Sequence, residues 1–294
     1  YEIEAVTGVQ TCALPIWHSP PRHQGCVCLN PWFITGIIDA EGTFTWGLTK
    51  SNSAKLGWKI GPRFSICLHK RDYDLLRSIK SFFGGIGVLK VTGDFAYYDI
   101  NSIRDLRILF AHLDLFPLLT FKRNMYHIFV TVYWLYVDKV HLTPQGFKLC
   151  LAYINLLNRP IKAGTIRAIV ALHGSLPTII LPPVLITTQY LLNPYWIVGF
   201  VCGEGSFTYF CRSRLTSSGV KLDYTLVFEV SQLPLDNLLL LAILQYLGAG
   251  NLFTRQDFVS RIRVTSTVNL LNLVAPFFIL YPLSGHKGYN SLPD

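Results

Sequence analysis

At 294 residues the chain suits one large domain or two ordinary ones, and a composition that is 51% hydrophobic and 14% aromatic excludes an intrinsically disordered protein. Its apolar runs Met125 to Val137 and Leu176 to Thr188 are shorter than the ~20 residues that cross a bilayer, and the second is broken by Pro177, Pro182 and Pro183, so no membrane partner is expected. A net charge of +9 points toward an anionic partner such as nucleic acid, while seven cysteines without a CxxC pair argue against a metal-thiolate or disulfide scaffold and for a reducing compartment.

In chain order, the first segment is "YEIEAVTGVQTCALPI" (Tyr1 to Ile16), which resembles the conceptual translation of a sequencing-library adapter and lacks the regions of a signal peptide. Residues 1–16 are therefore expected to stand outside the fold. A first half, 17–157, contains "NPWFITGIIDAEGTF" (Asn30 to Phe44), an apolar helix-like run headed by Asn-Pro and ending in Glu41. Asn caps the first exposed N–H groups of a helix, and Pro suits its first turn. An alternating run, "TFTWGLTK", reads as a strand with Phe44, Trp46 and Leu48 on one face. A second strand, "RFSICLHKRD", a short amphipathic helix, "YDLLRSIKSFFGG", two further strands and another helix follow, and "PLLTFK" ends at Lys122. Met125 to Val137 is expected as a buried helix. Residues 158–192, rich in Pro, Gly and Thr, are expected to be a linker, and a second half occupies 193–294.

That second half repeats the first. "NPYWIVGFVCGEGSF" begins at Asn193, "SFTYFCRSR" and "VFEVSQLPLD" match the first two strands, "NLLLLAILQYLGAG" matches the helix, and "PLSGHK" ends at Lys287. The fold class is therefore α+β, built from two αββαββα halves with four antiparallel strands each. The second copy stops soon after Lys287 where the first runs on, so the second half is expected to be C-terminally truncated. Gly36 and Ala40 in one helix and Gly199 and Gly203 in the other share a four-residue spacing along one face. A helix glycine costs up to ~1 kcal/mol relative to Ala, so matched small residues predict a close helix–helix contact between the halves. Such a contact brings Glu41 and Glu204 together at two helix C-termini, where both the dipole and mutual repulsion call for a cation. Oxygen ligands beside an open phosphate site suit Mg²⁺.

"ITGIIDAEG" (Ile34 to Gly42) and "IVGFVCGEG" (Ile197 to Gly205) resemble the two signature motifs of double-motif LAGLIDADG homing endonucleases, over nearly the whole stretch from Asn30 to Tyr289. The resemblance implies a monomer with internal pseudo-twofold symmetry, each half with a saddle-shaped sheet on double-stranded DNA. Its implied activity is a metal-dependent double-strand cut in a long asymmetric target, with encoding in a group I intron of a mitochondrial genome. Glu41 and Glu204 would hold the metal with the carbonyls of Ala40 and Gly203, and Lys122 and Lys287 would stand near the scissile phosphates. The outer polar position falls on Gln232 in the second half but on Leu68 in the first, and the sixth motif position is Asp39 in one copy and Cys202 in the other. The alternatives are an intron RNA maturase of the same fold, binding group I intron RNA, and an inactive, degenerate endonuclease.

Strand parity predicts which side chains face the nucleic acid. In the first half these are Thr43, Thr45 and Thr49, extended by Lys59, Arg63 and Lys90. In the second they are Ser206, Thr208, Arg212, Arg214, Arg261, Arg263 and Thr265, with Ile262 and Val264 turned inward. Arginines and hydroxyls on a twisted ribbon suit base edges and phosphates. Apart from Asp99, these faces are expected to be poor in acids.

Overall fold

The computed structural model describes residues 29–180, 190–216 and 219–286, so Tyr1 to Ile16 and Lys287 lie outside the described residues. Helix α1 (Pro31–Glu41) starts as its sequence directs, with Asn30 Oδ1 accepting from the Trp32 N–H at 2.9 Å and Pro31 in the first turn. It runs into β1 (Gly42–Lys50) and β2 (Trp58–His69), then α2 (Tyr73–Phe82), β3 (Val88–Thr92), β4 (Phe95–Ile100) and α3 (Ile103–Leu115). Two further helices close this half, α4 (Lys122–Val137) and α5 (Pro144–Ile154). The second half opens on α7 (Pro194–Glu204), capped by Asn193 on the Tyr195 N–H at 2.9 Å. It continues through β5 (Gly205–Thr216), β6 (Gly219–Gln232), α8 (Asn237–Leu247), β7 (Asn251–Thr254) and β8 (Ser260–Val264). Its last helical stretch is α9 (Thr267–Asn269) and α10 (Ala275–Leu280), joined by a π-helical turn.

Each half therefore holds one four-stranded antiparallel sheet, ordered β1-β2-β4-β3 and β5-β6-β8-β7. Register follows the apolar alternation: Phe44 pairs with Phe64 and Trp46 with Pro62, which puts Phe44, Trp46 and Ile60 on one buried face. Helix α4 covers that face. Phe129 packs against both Phe44 and Trp46, and the Trp46 indole N–H donates to the Phe129 carbonyl at 3.3 Å. In the second sheet Phe207 meets Phe228 and Phe278, but Tyr209 is 69% exposed and Leu222, Tyr224 and Leu226 beside it are also open to solvent. Among the described residues no counterpart of α4 lies over β5 and β6.

The segment expected to be a linker carries a further helix, α6 (Ala163–His173). Its Ile169 is buried, and the His173 ring pairs with the Leu56 carbonyl at 3.1 Å, so it packs on the first half. Averaging composition over 158–192 hid "AGTIRAIVALH", a proline-free run with Ala, Arg and Leu that stops at Gly174, where φ is +82°. Among the described residues no helix is long and apolar enough to cross a membrane.

Helices α1 and α7 are apolar nearly all round and lie in the centre, where each is the other's main neighbour. The crossing depends on two glycines. A Cβ on Gly36 would strike the Trp196 carbonyl and come within 2.7 Å of the Phe200 nitrogen, and one on Gly199 would strike the Phe33 carbonyl. These obstacles are backbone atoms, which cannot swing aside. Beneath α1, the buried His112 ring lies 3.1 Å from the Thr35 hydroxyl, which itself donates to the Phe116 carbonyl at 2.9 Å. The hydroxyl proton is thereby spent, so His112 Nε2 carries the hydrogen in this contact. Burial pulls its pKa down to about 4.

Two predictions follow the packing. Gly36→Ala and Gly199→Ala should each cost about 3 kcal/mol, whereas Gly61→Ala, where a Cβ meets nothing, should change stability little; denaturant melts of the three variants check this. For His112 the folded pKa lies below the unfolded one near 6.5, so unfolded chains bind more protons as pH falls from about 6.5 to 4 and this contribution is lost over that window. The stability advantage of wild type over His112→Gln, measured at pH 7 and at pH 4, should shrink by up to about 3 kcal/mol.

Candidate active site

Because α1 and α7 touch through small residues, their C-terminal ends emerge side by side. Ala40 and Gly203 meet at this end: a Cβ on Gly203 would strike that of Ala40 and stand 3.2 Å from Glu41 Oε1. Glu41 thus lies over the second half's glycine, while Glu204 terminates α7 at the equivalent place. Both carboxylates are partly buried and act electrostatically on one lysine, Lys122.

Lys122 is the first residue of α4, and its ammonium donates to the Ile38 carbonyl at 3.1 Å and the Ala40 carbonyl at 3.0 Å. A cation on the last carbonyls of a helix is placed where the helix dipole is negative. Burial pushes the lysine's pKa below its ordinary value, while Asp39, Glu204, Glu41 and Asp236 pull it back. Four carboxylates thus surround one ammonium group. The Ala40 carbonyl, expected as a metal ligand, is in hydrogen-bond contact with this ammonium.

The loop that delivers Lys122 is held by carboxylates. Asp39, fully buried, accepts from the Leu119 N–H at 2.9 Å, the Thr120 N–H at 3.2 Å and the Thr120 hydroxyl at 2.6 Å. It also accepts the Trp196 indole N–H at 2.8 Å, which ties α7 to the same point. Burial raises its pKa, and these donors oppose the rise. The next N–H, of Phe121, donates to Asp236 at 2.7 Å, and that of Lys122 donates to the Thr120 hydroxyl at 3.2 Å. Four successive amides leading into α4 thereby have oxygen partners, and those of Phe121 and Lys122 are among the donors that an uncapped helix start leaves open. In the second half Cys202 occupies the place of Asp39, and its thiol donates to the Ser284 carbonyl at 3.4 Å. Gln232 at the end of β6 accepts from the Leu233 N–H at 2.9 Å, whereas Leu68 packs against the core.

On the open faces, Thr43 pairs with Ser65, Thr45 with Arg63 and Thr49 with Lys59, so these side chains share one surface with the exposed Lys90. In the second half Ser206, Thr208, Arg212 and Arg214 are exposed along β5, and Thr265 lies just past the end of β8. The expectation that these faces are poor in acids apart from Asp99 needs correction, because Glu229, Asp257 and Asp223 also lie among their arginines. Arg63 is clamped to Asp99 through three hydrogen bonds of 2.9 to 3.1 Å. Arg263 pairs with Glu229 and lies 5.1 Å from the Phe253 ring, Arg261 bridges Glu229 at 3.3 Å and Asp257 at 2.8 Å, and Arg214 approaches Asp223 at 3.8 Å. Asp99 lies opposite Ser65, so Arg63 reaches it diagonally, whereas Glu229 and Arg263 face each other directly across the second sheet, with the acid and the base on opposite strands from those of the first. Sequence reading scored each strand alone, and these contacts cross strands.

Also missed were Asp39 and Asp236 as loop anchors. The signal for the latter was present: the second strand of each repeat runs into a shared Asp, in "KRD" and in "PLD".

A sequence profile described as LAGLIDADG endonuclease matches residues 34–133 and 197–292. The probable intron-encoded endonuclease 3 of Neurospora crassa is 34% identical over 270 residues, covering 90% of this chain and 49% of that protein. An uncharacterized 50.9 kDa protein in ND4 intron 1 of Podospora anserina is 42% identical over 118 residues, 39% of this chain and 26% of that protein. The chain spans about half the length of the first of these relatives. Among solved structures, I-SmaMI bound to uncleaved DNA target in the presence of calcium ions superposes with a TM-score of 0.81 at 31% identity, over 89% of this chain and 88% of that one.

Asp39→Asn puts an NH₂ group among four donors. It should destabilise the chain by about 2 kcal/mol or more, whereas Cys202→Ser, which keeps one donor, should cost less; chemical denaturation compares them.

Proposed function

This chain belongs to the LAGLIDADG endonuclease family, and from that premise we propose that it is a site-specific endonuclease that cuts both strands of a long, asymmetric double-stranded DNA target. The observation that carries the reading is the convergence of Glu41 and Glu204 at paired helix ends beside the buried Lys122, between two open sheets.

A divalent cation suits this place. Two carboxylates meet helix-terminal carbonyls, and the helix end already attracts the Lys122 ammonium. Among the described residues no three His, Cys, Asp or Glu side chains are grouped so as to hold a metal ion, so Glu41 and Glu204 would hold the ion with the rest of its shell from carbonyl, water and phosphate oxygens. That open, all-oxygen shell fits Mg²⁺. When bound, such an ion supplies activation of water and stabilisation of charge on phosphate oxygens. Lys122, drawn in by Asp39 and held on the end of α1, adds positive charge beside the reacting phosphate. Lys287 has the equivalent part in the second half, and Gln232 orders water on that side. Thr43, Thr45, Thr49, Lys59, Lys90, Ser206, Thr208, Arg212, Arg214 and Thr265 contact the DNA, with Arg63, Arg261 and Arg263 presented by their carboxylate partners. The intron-encoded relatives support encoding within an intron of a fungal mitochondrial gene and a role in intron homing.

A plasmid carrying the joined exons that flank the coding intron is the test substrate. With Mg²⁺ the wild-type chain should linearise it, and Glu41→Gln or Glu204→Gln should slow cutting by roughly a hundredfold or more while binding persists. Undiminished cutting by the double variant would defeat the assignment.

A further inference from the structure

Each lysine-bearing loop touches a carboxylate from the opposite half. Asp236, in the second half, accepts from the N–H of Phe121, the residue before Lys122, at 2.7 Å. Asp72, in the first half, accepts from the N–H of His286, the residue before Lys287, at 2.6 Å. The two aspartates are equivalent in the repeat, as are Phe121 and His286. Both aspartates immediately precede a helix, α2 or α8, where an Asp ordinarily caps the first amides of its own helix. Neither does so here: both lack a side-chain bond to the helix they precede. The Asp236 side chain is buried, and burial pushes its pKa up to about 6, an unfavourable setting that the short bond to Phe121 offsets. On the other side Gly285, with φ at +74°, leaves room for the Asp72 carboxylate; a Cβ there would come within 2.5 Å of Asp72 Oδ1.

We propose that Asp72 and Asp236 are positioning residues that act in trans, each fixing the lysine-bearing loop of the opposite half, so that neither reaction centre is assembled unless the halves are docked. The positioning role rests on the endonuclease reading; the latch itself does not. Asp39 and Cys202 fix each loop from within its own half, and the aspartates add the reciprocal tie. Lys122 is therefore set on the end of α1 by a loop whose amides answer to both halves. Asp236→Ala frees the Phe121 amide and leaves the Asp72 tie intact.

Hydrogen exchange and strand-resolved cleavage together test this on the full chain. Asp236→Ala should raise amide exchange in 119–122 at least tenfold without changing 283–286, Asp72→Ala should do the reverse, and Asp236→Asn, which keeps an acceptor oxygen, should retain most of the protection. On a joined-exon duplex labelled on each strand, Asp236→Ala should slow one strand about tenfold and Asp72→Ala the other, with DNA affinity within twofold of wild type and Asp236→Asn near the wild-type rate. Exchange that rises equally in both loops, or in neither, overturns the latch. Local exchange changes with both strands cut at the wild-type rate, or slowed equally, overturn the positioning role. A wild-type chain that shows the local exchange pattern yet leaves the duplex intact overturns the endonuclease reading and leaves the latch standing.

Discussion

Two helix backbones can touch only where neither carries a side chain, and the crossing of α1 and α7 at Gly36 and Gly199 meets that condition. From it the arrangement of the rest follows. The crossing fixes the angle and register of two buried helices, and register decides that Ala40 meets Gly203 one turn later. With those residues in contact, Glu41 and Glu204 cannot separate, whatever their mutual repulsion. The sheets ride on the helix ends, because β1 and β5 start at the residues after the glutamates.

Electrostatics at this junction is unbalanced by design of the sequence. Helix C-termini are negative, and two glutamates and Asp39 lie on them with Asp236 nearby, against one buried ammonium. The imbalance is tolerable because Asp39 spends its charge on four hydrogen-bond donors and Asp236 on one. Glu41 and Glu204, at the paired helix ends, are where the proposed cation would add its charge. The halves are not equal in this respect. A carboxylate in one is replaced by a thiol in the other, and Gln232 has only Leu68 opposite it, so the proposed reaction would proceed in two differently equipped centres.

The open faces carry a second kind of order. Arg63, Arg261 and Arg263 are held by Asp99, Glu229 and Asp257. A clamped guanidinium loses less freedom on meeting a base edge than a free one, at the expense of some positive potential. The net charge of +9 is therefore a poor guide to how these sheets present it.

The sequence by itself determined the duplicated architecture, because alternation, Asn-Pro starts and glycine stops are local signals and their repetition removes ambiguity. It also singled out the small residues of the helix contact and the two glutamates, since a carboxylate twice ending an apolar run has few structural uses. Tertiary structure alone decided where charges find partners. Asp39 lies some eighty positions from the loop it holds, Asp236 more than a hundred from Phe121, and Glu229 meets Arg263 only across the sheet. No periodicity reports such pairs, because hydrogen-bond partners are set by proximity in three dimensions, and proximity here was created by strand pairing and by the packing of helices against their neighbours.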